Sequence, residues 1–347
     1  MLSKNGWSVL FIILGLLLST GALLAQGGPP GGGGGGGGNR IQKFDDATLG
    51  FAYIPGQDIE IDGSIDFTLK AATDQDFFLV IDYGSNAGTC GGTSDARCAV
   101  NPNNPADAVR YYLWNSDDMV VWNLADAEAA GDSTHVISGT VPGNPTGNNF
   151  ANFSAPISIF IENGQLTDPN PDYSDTLQMD LYFGSIEDPT SYTSGNPEGS
   201  ATLTVSGNVD PFVEVALVET GGSYPTGFAG DTRSTAETMD FGVLQPTDTR
   251  AYDLLARSNA LFTISASSQN GGVLTYQGTA AANGLPTEVG YTFTIDGQSL
   301  DLTNSPATLG SGLFGLRWPM VVTISEYGVP VAGDYQDIID ITVTADQ

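Results

Sequence analysis

Few residues in this chain are equipped for chemistry. The only two cysteines stand in one short segment, Cys90-Gly-Gly-Thr-Ser-Asp-Ala-Arg-Cys98. In an oxidising compartment such a pair forms a disulfide around a small loop, which adds about 2 to 3 kcal/mol at this spacing. A metal site needs more ligands, and the sole histidine, His135, lies in a separate segment. A Ser-His-Asp arrangement would have to use that histidine, in Asp132-Ser133-Thr134-His135-Val136. Asp168, Asp172 and Asp175 with Asn170 resemble a calcium loop only superficially, because the regular ligand spacing is missing and prolines crowd the segment. With 40 acidic residues, no carboxylate pair stands out as a glycosidase couple. The expectation is therefore no catalytic residue, no metal and no cofactor.

Aromatic side chains offer a better lead. Tyr111, Tyr112, Trp114 and Trp122 lie close together in the sequence. If Tyr111 and Leu113 alternate inward as core, Tyr112 and Trp114 face the other way. Tyr112, Trp114 and Trp122 are the candidate binding aromatics, of the kind that contact sugars or hydrophobic surfaces.

Forty acidic residues against ten basic ones leave a net charge of −30, so nucleic acid and anionic membranes are repelled. A 40% hydrophobic share with 16 Phe and 13 Tyr is too apolar for a disordered chain.

The elements that position these residues begin with an export signal. Lys4 supplies a positive start, Val9 to Leu18 an apolar stretch, and Ala22-Leu23-Leu24-Ala25 a small-residue cleavage site, which makes residues 1–25 a signal peptide. Trp7 to Ala25 is almost long enough to anchor the chain, but Ser19, Thr20 and Gly21 interrupt it, so no membrane insertion of the mature chain is expected. Residues 26–39, with glycine unbroken from Gly31 to Gly38, read as a flexible tether. The remaining roughly 300 residues suit two domains, 40–210 and 211–347.

Beyond the signal peptide the apolar pattern has period two between Gly, Pro, Asn and Asp clusters. Strands are expected at Ile59 to Ile65, Asp66 to Ala71, Phe77 to Tyr83, Val109 to Trp114, Pro156 to Ile161 and Thr176 to Phe183. Further strands are expected at Leu261 to Ala266, Tyr291 to Ile295, Met320 to Ile324 and Ile338 to Thr344, with a helical turn or two within Asp117 to Ala130. The class is all-β, two tandem immunoglobulin-like antiparallel sandwiches.

An internal repeat links the halves. Thr48-Leu49-Gly50-Phe51-Ala52-Tyr53 aligns with Thr238-Met239-Asp240-Phe241-Gly242-Val243, and Ala155-Pro156-Ile157 with Trp318-Pro319-Met320. The most specific match is Asp172-Tyr173-Ser174-Asp175 with Asp334-Tyr335-Gln336-Asp337. After it, Leu177, Met179, Leu181 and Phe183 alternate in one copy, and Tyr335, Ile339, Ile341 and Val343 in the other. These should face the core.

The Phe241-Gly242 pair, the terminal Gly333-Asp334-Tyr335-Gln336-Asp337 with its alternating strand, and Ala201 to Val209 together resemble the spore coat protein U-like family, which includes subunits of archaic chaperone-usher pili. The likeness spans roughly residues 200 to 346 and is looser in the first domain. Family members often carry a disulfide near the first strand, whereas Phe212 to Leu217 has no cysteine. The resemblance implies pilin-like sandwiches and a fimbrial subunit at the cell surface, reached via the periplasm. Its implied partners are other pilus or coat subunits, a periplasmic chaperone and an outer-membrane usher. A two-domain member resembles a tip adhesin, with the N-terminal domain meeting the target.

The resemblance gives the strand 201–209 a particular part. Ala201, Leu203, Val205, Gly207 and Val209 alternate with polar residues and can close the first domain as a built-in donor strand. In the second domain the equivalent strand ends at Ala345, two residues before the chain stops, so that domain is expected to be one strand short. If 201–209 instead opens the second domain, that domain is complete. The alternative function is then an independent secreted binding module, for example for polysaccharide.

Overall fold

The structure is a computed structural model that describes residues 39–346 apart from 88, 91–94, 145–149, 170–171, 225–233, 280–282, 305 and 314. The expected signal peptide, and all of the expected tether but Asn39, lie outside the described residues. Strands dominate, and among the described residues no helix is long and apolar enough to cross a membrane.

The first ten strands are β1 (Arg40–Phe44), β2 (Ala47–Tyr53), β3 (Ile59–Lys70), β4 (Gln75–Ile81), β5 (Arg97–Asn101), β6 (Asn104–Asn115), β7 (Ile137–Val141), β8 (Ala151–Ile161), β9 (Tyr173–Phe183) and β10 (Gly199–Val209). The helix α1 (Leu124–Ala130) falls inside the segment expected to turn helically. Its start is capped by the Asn123 side chain accepting from Asp126 N–H, and Gly131 ends it at positive φ. The two strands expected between Ile59 and Ala71 are one, β3, because Gly63 and Ser64 continue the pairing with β8 without a break.

One leaf runs β1-β3-β8-β6. The other is built from β7, β4, β9, β10 and β2, and β6 crosses between them, pairing with β8 through Tyr112–Asn115 and with β5 through its earlier residues. Period-two alternation turns Ile65, Phe67 and Leu69 of β3, Ile157, Ile159 and Ile161 of β8, and Leu177, Met179 and Leu181 of β9 into a shared apolar interior.

The second ten are β11 (Val213–Glu219), β12 (Thr249–Ser258), β13 (Phe262–Ser268), β14 (Val273–Tyr276), β15 (Glu288–Ile295), β16 (Gln298–Leu300), β17 (Ala307–Leu313), β18 (Arg317–Ile324), β19 (Tyr335–Gln336) and β20 (Ile339–Ala345). They enclose a separate core around Leu254, Phe262, Ile264, Tyr291, Phe293, Trp318 and Met320.

The two assemblies follow one plan. The order β3-β8-β6 corresponds to β12-β18-β15, and the aligned prolines Pro156 and Pro319 both point outward, flanked by buried Ala155 and Ile157 or Trp318 and Met320. In one half β9 pairs with β5 at its start and β4 at its end. In the other, β19 pairs with β14 and β20 with β13. The Asp-Tyr-x-Asp repeat carries the same bonds in both copies. Tyr111 of β6 donates to Asp175 at 3.0 Å and Tyr291 of β15 to Asp337 at 2.5 Å. The two motif tyrosines each donate to a backbone carbonyl just upstream, Tyr173 to Asp168 and Tyr335 to Val331, both at 2.7 Å.

One repeat match does not become the same element. Residues 47–53 form β2, whereas Thr238 to Val243 form no strand. The cause is the neighbour: β2 is hydrogen-bonded along its length to β10, and among the described residues no strand stands in that place in the second half.

Candidate assembly groove and binding surface

β10 fills the gap between β9 and β2. It runs antiparallel to β9, with Leu203 opposite Leu177 and Gly207 opposite Tyr173, and parallel to β2, with Val205 beside Leu49 and Gly207 beside Phe51. Ala201, Leu203, Val205 and Val209 are buried, and Gly207 is half-buried. Leu49, Phe51 and Tyr53 of β2 and the core-facing side chains of β9 are buried beneath them. Position 207 accepts no side chain: a Cβ there would overlap the Phe51 carbonyl oxygen and lie 2.5 Å from the ring's Cγ.

The second half lacks that layer among its described residues. β20 pairs only with β13, and β11 pairs only with β12, while β11 and β20 approach each other without pairing. Tyr335, Ile339, Ile341 and Val343 pack against the core, and each is only half-buried. Met239 and Phe241, the repeat partners of Leu49 and Phe51, are half-buried as well, and Val243, the partner of buried Tyr53, is 82% exposed. A row of apolar side chains therefore lies along the outer edge of β20 and the non-strand segment 238–243.

The described residues between β11 and β12 are tied to both halves of that sheet, and Tyr327 donates to the Leu244 carbonyl at 2.6 Å. Leu217 N–H donates to the Ser234 carbonyl at one end, and Thr247 N–H to the Ile324 carbonyl at the other. Between them the Arg250 guanidinium lies over the Phe241 ring at 5.2 Å and its Nε donates to the Asp240 carbonyl.

In the first half the polar chemistry is structural. Arg97, fully buried in β5, donates to the backbone carbonyls of Ile81, Asp82 and Val121 and lies over the Tyr83 ring. Burial raises the Asp175 carboxyl from 3.8 to about 6, although Tyr111, Thr176, Asn86 and Arg97 all favour the charged form. Asp175 is thus an interior group, and Asp168 serves Tyr173 through its backbone carbonyl, while Asn170 lies outside the described residues. Among the described residues no three His, Cys, Asp or Glu side chains group as metal ligands.

Cys90 and Cys98 are bonded, with their Cα atoms 6.0 Å apart. Cys98 is buried in β5 beside Arg97, so the bridge ties the loop after β4 to the interior. His135 stacks on Trp122 at 3.5 Å and its Nδ1 faces the Val120 carbonyl. Ser133 donates to Glu187 and Asp132 caps Thr134, so the three residues are turned to separate structural partners.

The candidate aromatics divide into two sites. Tyr112 and Trp114 share the outer face of β6, where Trp114 stacks on Phe160 of β8 at 4.1 Å and Tyr112 lies 6.5 Å from the same ring. The stacked pair offers edges and outer faces rather than one flat plane. Trp122 is elsewhere, in a small core with Phe78, Val80 and Tyr182 on the outer face of the other leaf, next to Ala127 of α1. Sequence proximity grouped it with Tyr112 and Trp114, but after β6 the chain turns over to the other leaf. Sequence reading also missed a cleft of about 240 Å³ lined by Phe67, Phe77 and Phe153 together with Asn115, Ser133 and Ser138. No periodicity marks it, because its three phenylalanines come from three strands.

No family model matches the chain, and no curated protein matches it. Among solved structures it is similar to the chaperone and tip adhesion subunit pre-assembly complex, CsuC-CsuE, of the archaic chaperone-usher Csu pili of Acinetobacter baumannii. That match has 12% identity and a TM-score of 0.42, and covers 88% of this chain and 99% of that one. It is also similar to CfaE, the adhesive subunit of CFA/I fimbria of enterotoxigenic Escherichia coli, at 12% identity and a TM-score of 0.30, covering 88% of this chain and 94% of that one. The CupB6 tip adhesin of Pseudomonas aeruginosa matches at 11% identity and a TM-score of 0.29, covering 82% of this chain and 85% of that one.

Proposed function

We propose that this protein is an exported structural and adhesive subunit of a cell-surface fibre. Its two domains are residues 40–210 and 211–347; the second is joined to the assembly by a strand from a partner, and the first contacts the target. The observation that carries the reading is the half-exposed row Ile339, Ile341 and Val343 on a strand whose counterpart, β9, is closed over by β10. A donated strand would supply the missing backbone partners and bury apolar side chains worth about 1.5 to 3 kcal/mol each when fully covered. Before assembly such a groove aggregates or is held by a chaperone, and a periplasmic chaperone, an outer-membrane usher and neighbouring fibre subunits are the partners this reading requires.

Target contact falls to residues 40–184, which carry the disulfide-bonded loop, the Tyr112, Trp114 and Phe160 face and the phenylalanine-lined cleft. The test compares mature protein with the same protein carrying a donor segment fused after Gln347 through a short linker. The fusion should be more soluble, monomeric and more heat-stable. Equal solubility, equal monomer content and equal heat stability would favour an independent secreted module with both sandwiches self-complete.

A further inference from the structure

The first half shows what an occupied groove looks like in this chain, and the second shows the same residues without an occupant. Two strands flank β10, β9 along Gly199–Gly207 on one side and β2 along Leu203–Val209 on the other. The second half has the counterpart of β9 in β19 and β20. The counterpart of β2, residues 238–243, is present in sequence but forms no strand. Met239 and Phe241 pack partly buried against the core, Asp240 Oδ1 accepts from Gly242 N–H at 2.7 Å, and Arg250 donates to the Asp240 carbonyl with its guanidinium 5.2 Å from the Phe241 ring. Gly242 sits at φ +61° where its partner Ala52 lies within a strand, and glycine crosses between those conformations at little cost.

We infer that the occupant of this groove is a strand of β10-like chemistry, with a glycine at the position facing Phe241 and Tyr335, and that its arrival folds residues 238–243 into a strand parallel to it. The inference rests on the groove reading above and adds the occupant's pattern and the segment that folds with it. Transfer of the β10 register sets the pairs. The residue equivalent to Val205 lies between Asp337 and Met239, that equivalent to Leu203 beside Ile339, and that equivalent to Ala201 beside Ile341. The glycine follows from Phe51, whose backbone carbonyl oxygen and ring both lie where a side chain at 207 would be, and Phe241 is the residue in the same place. On folding, Met239, Phe241 and Val243 turn inward as Leu49, Phe51 and Tyr53 do, which removes the exposed Val243 from water.

The experiment uses the mature full chain and synthetic peptides with the sequence of residues 200–210, as it stands and with Gly207→Val. Affinity is read by calorimetry and backbone protection by hydrogen exchange. The unaltered peptide should bind and slow exchange both in 339–345 and in 238–243. The Gly207→Val peptide should bind at least tenfold more weakly. Protection of 339–345 with 238–243 unchanged, or equal binding of the two peptides, overturns this inference and leaves the groove reading in place. Failure of the unaltered peptide to bind or to protect 339–345 overturns both.

Discussion

Replacing Asp175 by asparagine should flatten the pH dependence of the first half's stability. The carboxyl is 2% exposed and its pKa is raised to about 6, chiefly by burial. Raising a carboxyl's folded pKa above the unfolded value of about 3.9 means that folding favours the protonated form. That contribution is fully present below about pH 4 and is lost as the pH rises through 6. Two pKa units at about 1.4 kcal/mol each make the loss about 3 kcal/mol between pH 4 and 7. An asparagine has no charge to desolvate and keeps an oxygen that can accept from Tyr111. The assay is urea unfolding of both proteins at half-unit steps across this range, followed by fluorescence of Trp114 and Trp122. Natural protein should lose about 3 kcal/mol relative to Asp175→Asn between the ends of the range. A difference constant to within about 0.5 kcal/mol, or one that grows in favour of the natural protein as the pH rises, would refute the reasoning.

Three further outcomes are expected. Leu177→Ala, at a fully buried position, should cost about 2 to 5 kcal/mol, while Ile339→Ala, at the equivalent half-buried position, should cost less than half as much until the groove is filled; equal costs in the free protein, measured by urea unfolding, would contradict the open groove. Removing the disulfide as Cys90→Ser with Cys98→Ser should lower the stability of the first half by about 2 to 3 kcal/mol and leave unfolding of the second unchanged. Tyr112→Ser combined with Trp114→Ser should weaken attachment of the intact protein to its target surface with little effect on the second half's unfolding, and unchanged attachment would move the contact elsewhere, the cleft at Phe67 being the next place to test.

By itself the sequence determined the all-β class and the inward faces of the strands. Alternation is local, and a period of two leaves a strand one apolar side whatever its neighbours are. The Asp-Tyr-x-Asp repeat also marked equivalent strands correctly, because each copy's second aspartate and its tyrosine carry bonds that the shared plan needs. Only the tertiary structure decided how deeply those faces are buried. Leu177 and Ile339 occupy matching positions in similar patterns, yet one is sealed under β10 and the other is half open, a difference set by a strand from a distant part of the chain. The same neighbour makes a strand of Thr48 to Tyr53 and leaves Thr238 to Val243 without one. The aromatics divide for a related reason: Trp122 follows Trp114 closely in sequence, but the turn after β6 carries it to the opposite leaf and against His135. Which side of a strand is apolar is written within the strand. Whether that side meets water depends on backbone partners that only the folded chain, or a second chain, brings to its edge.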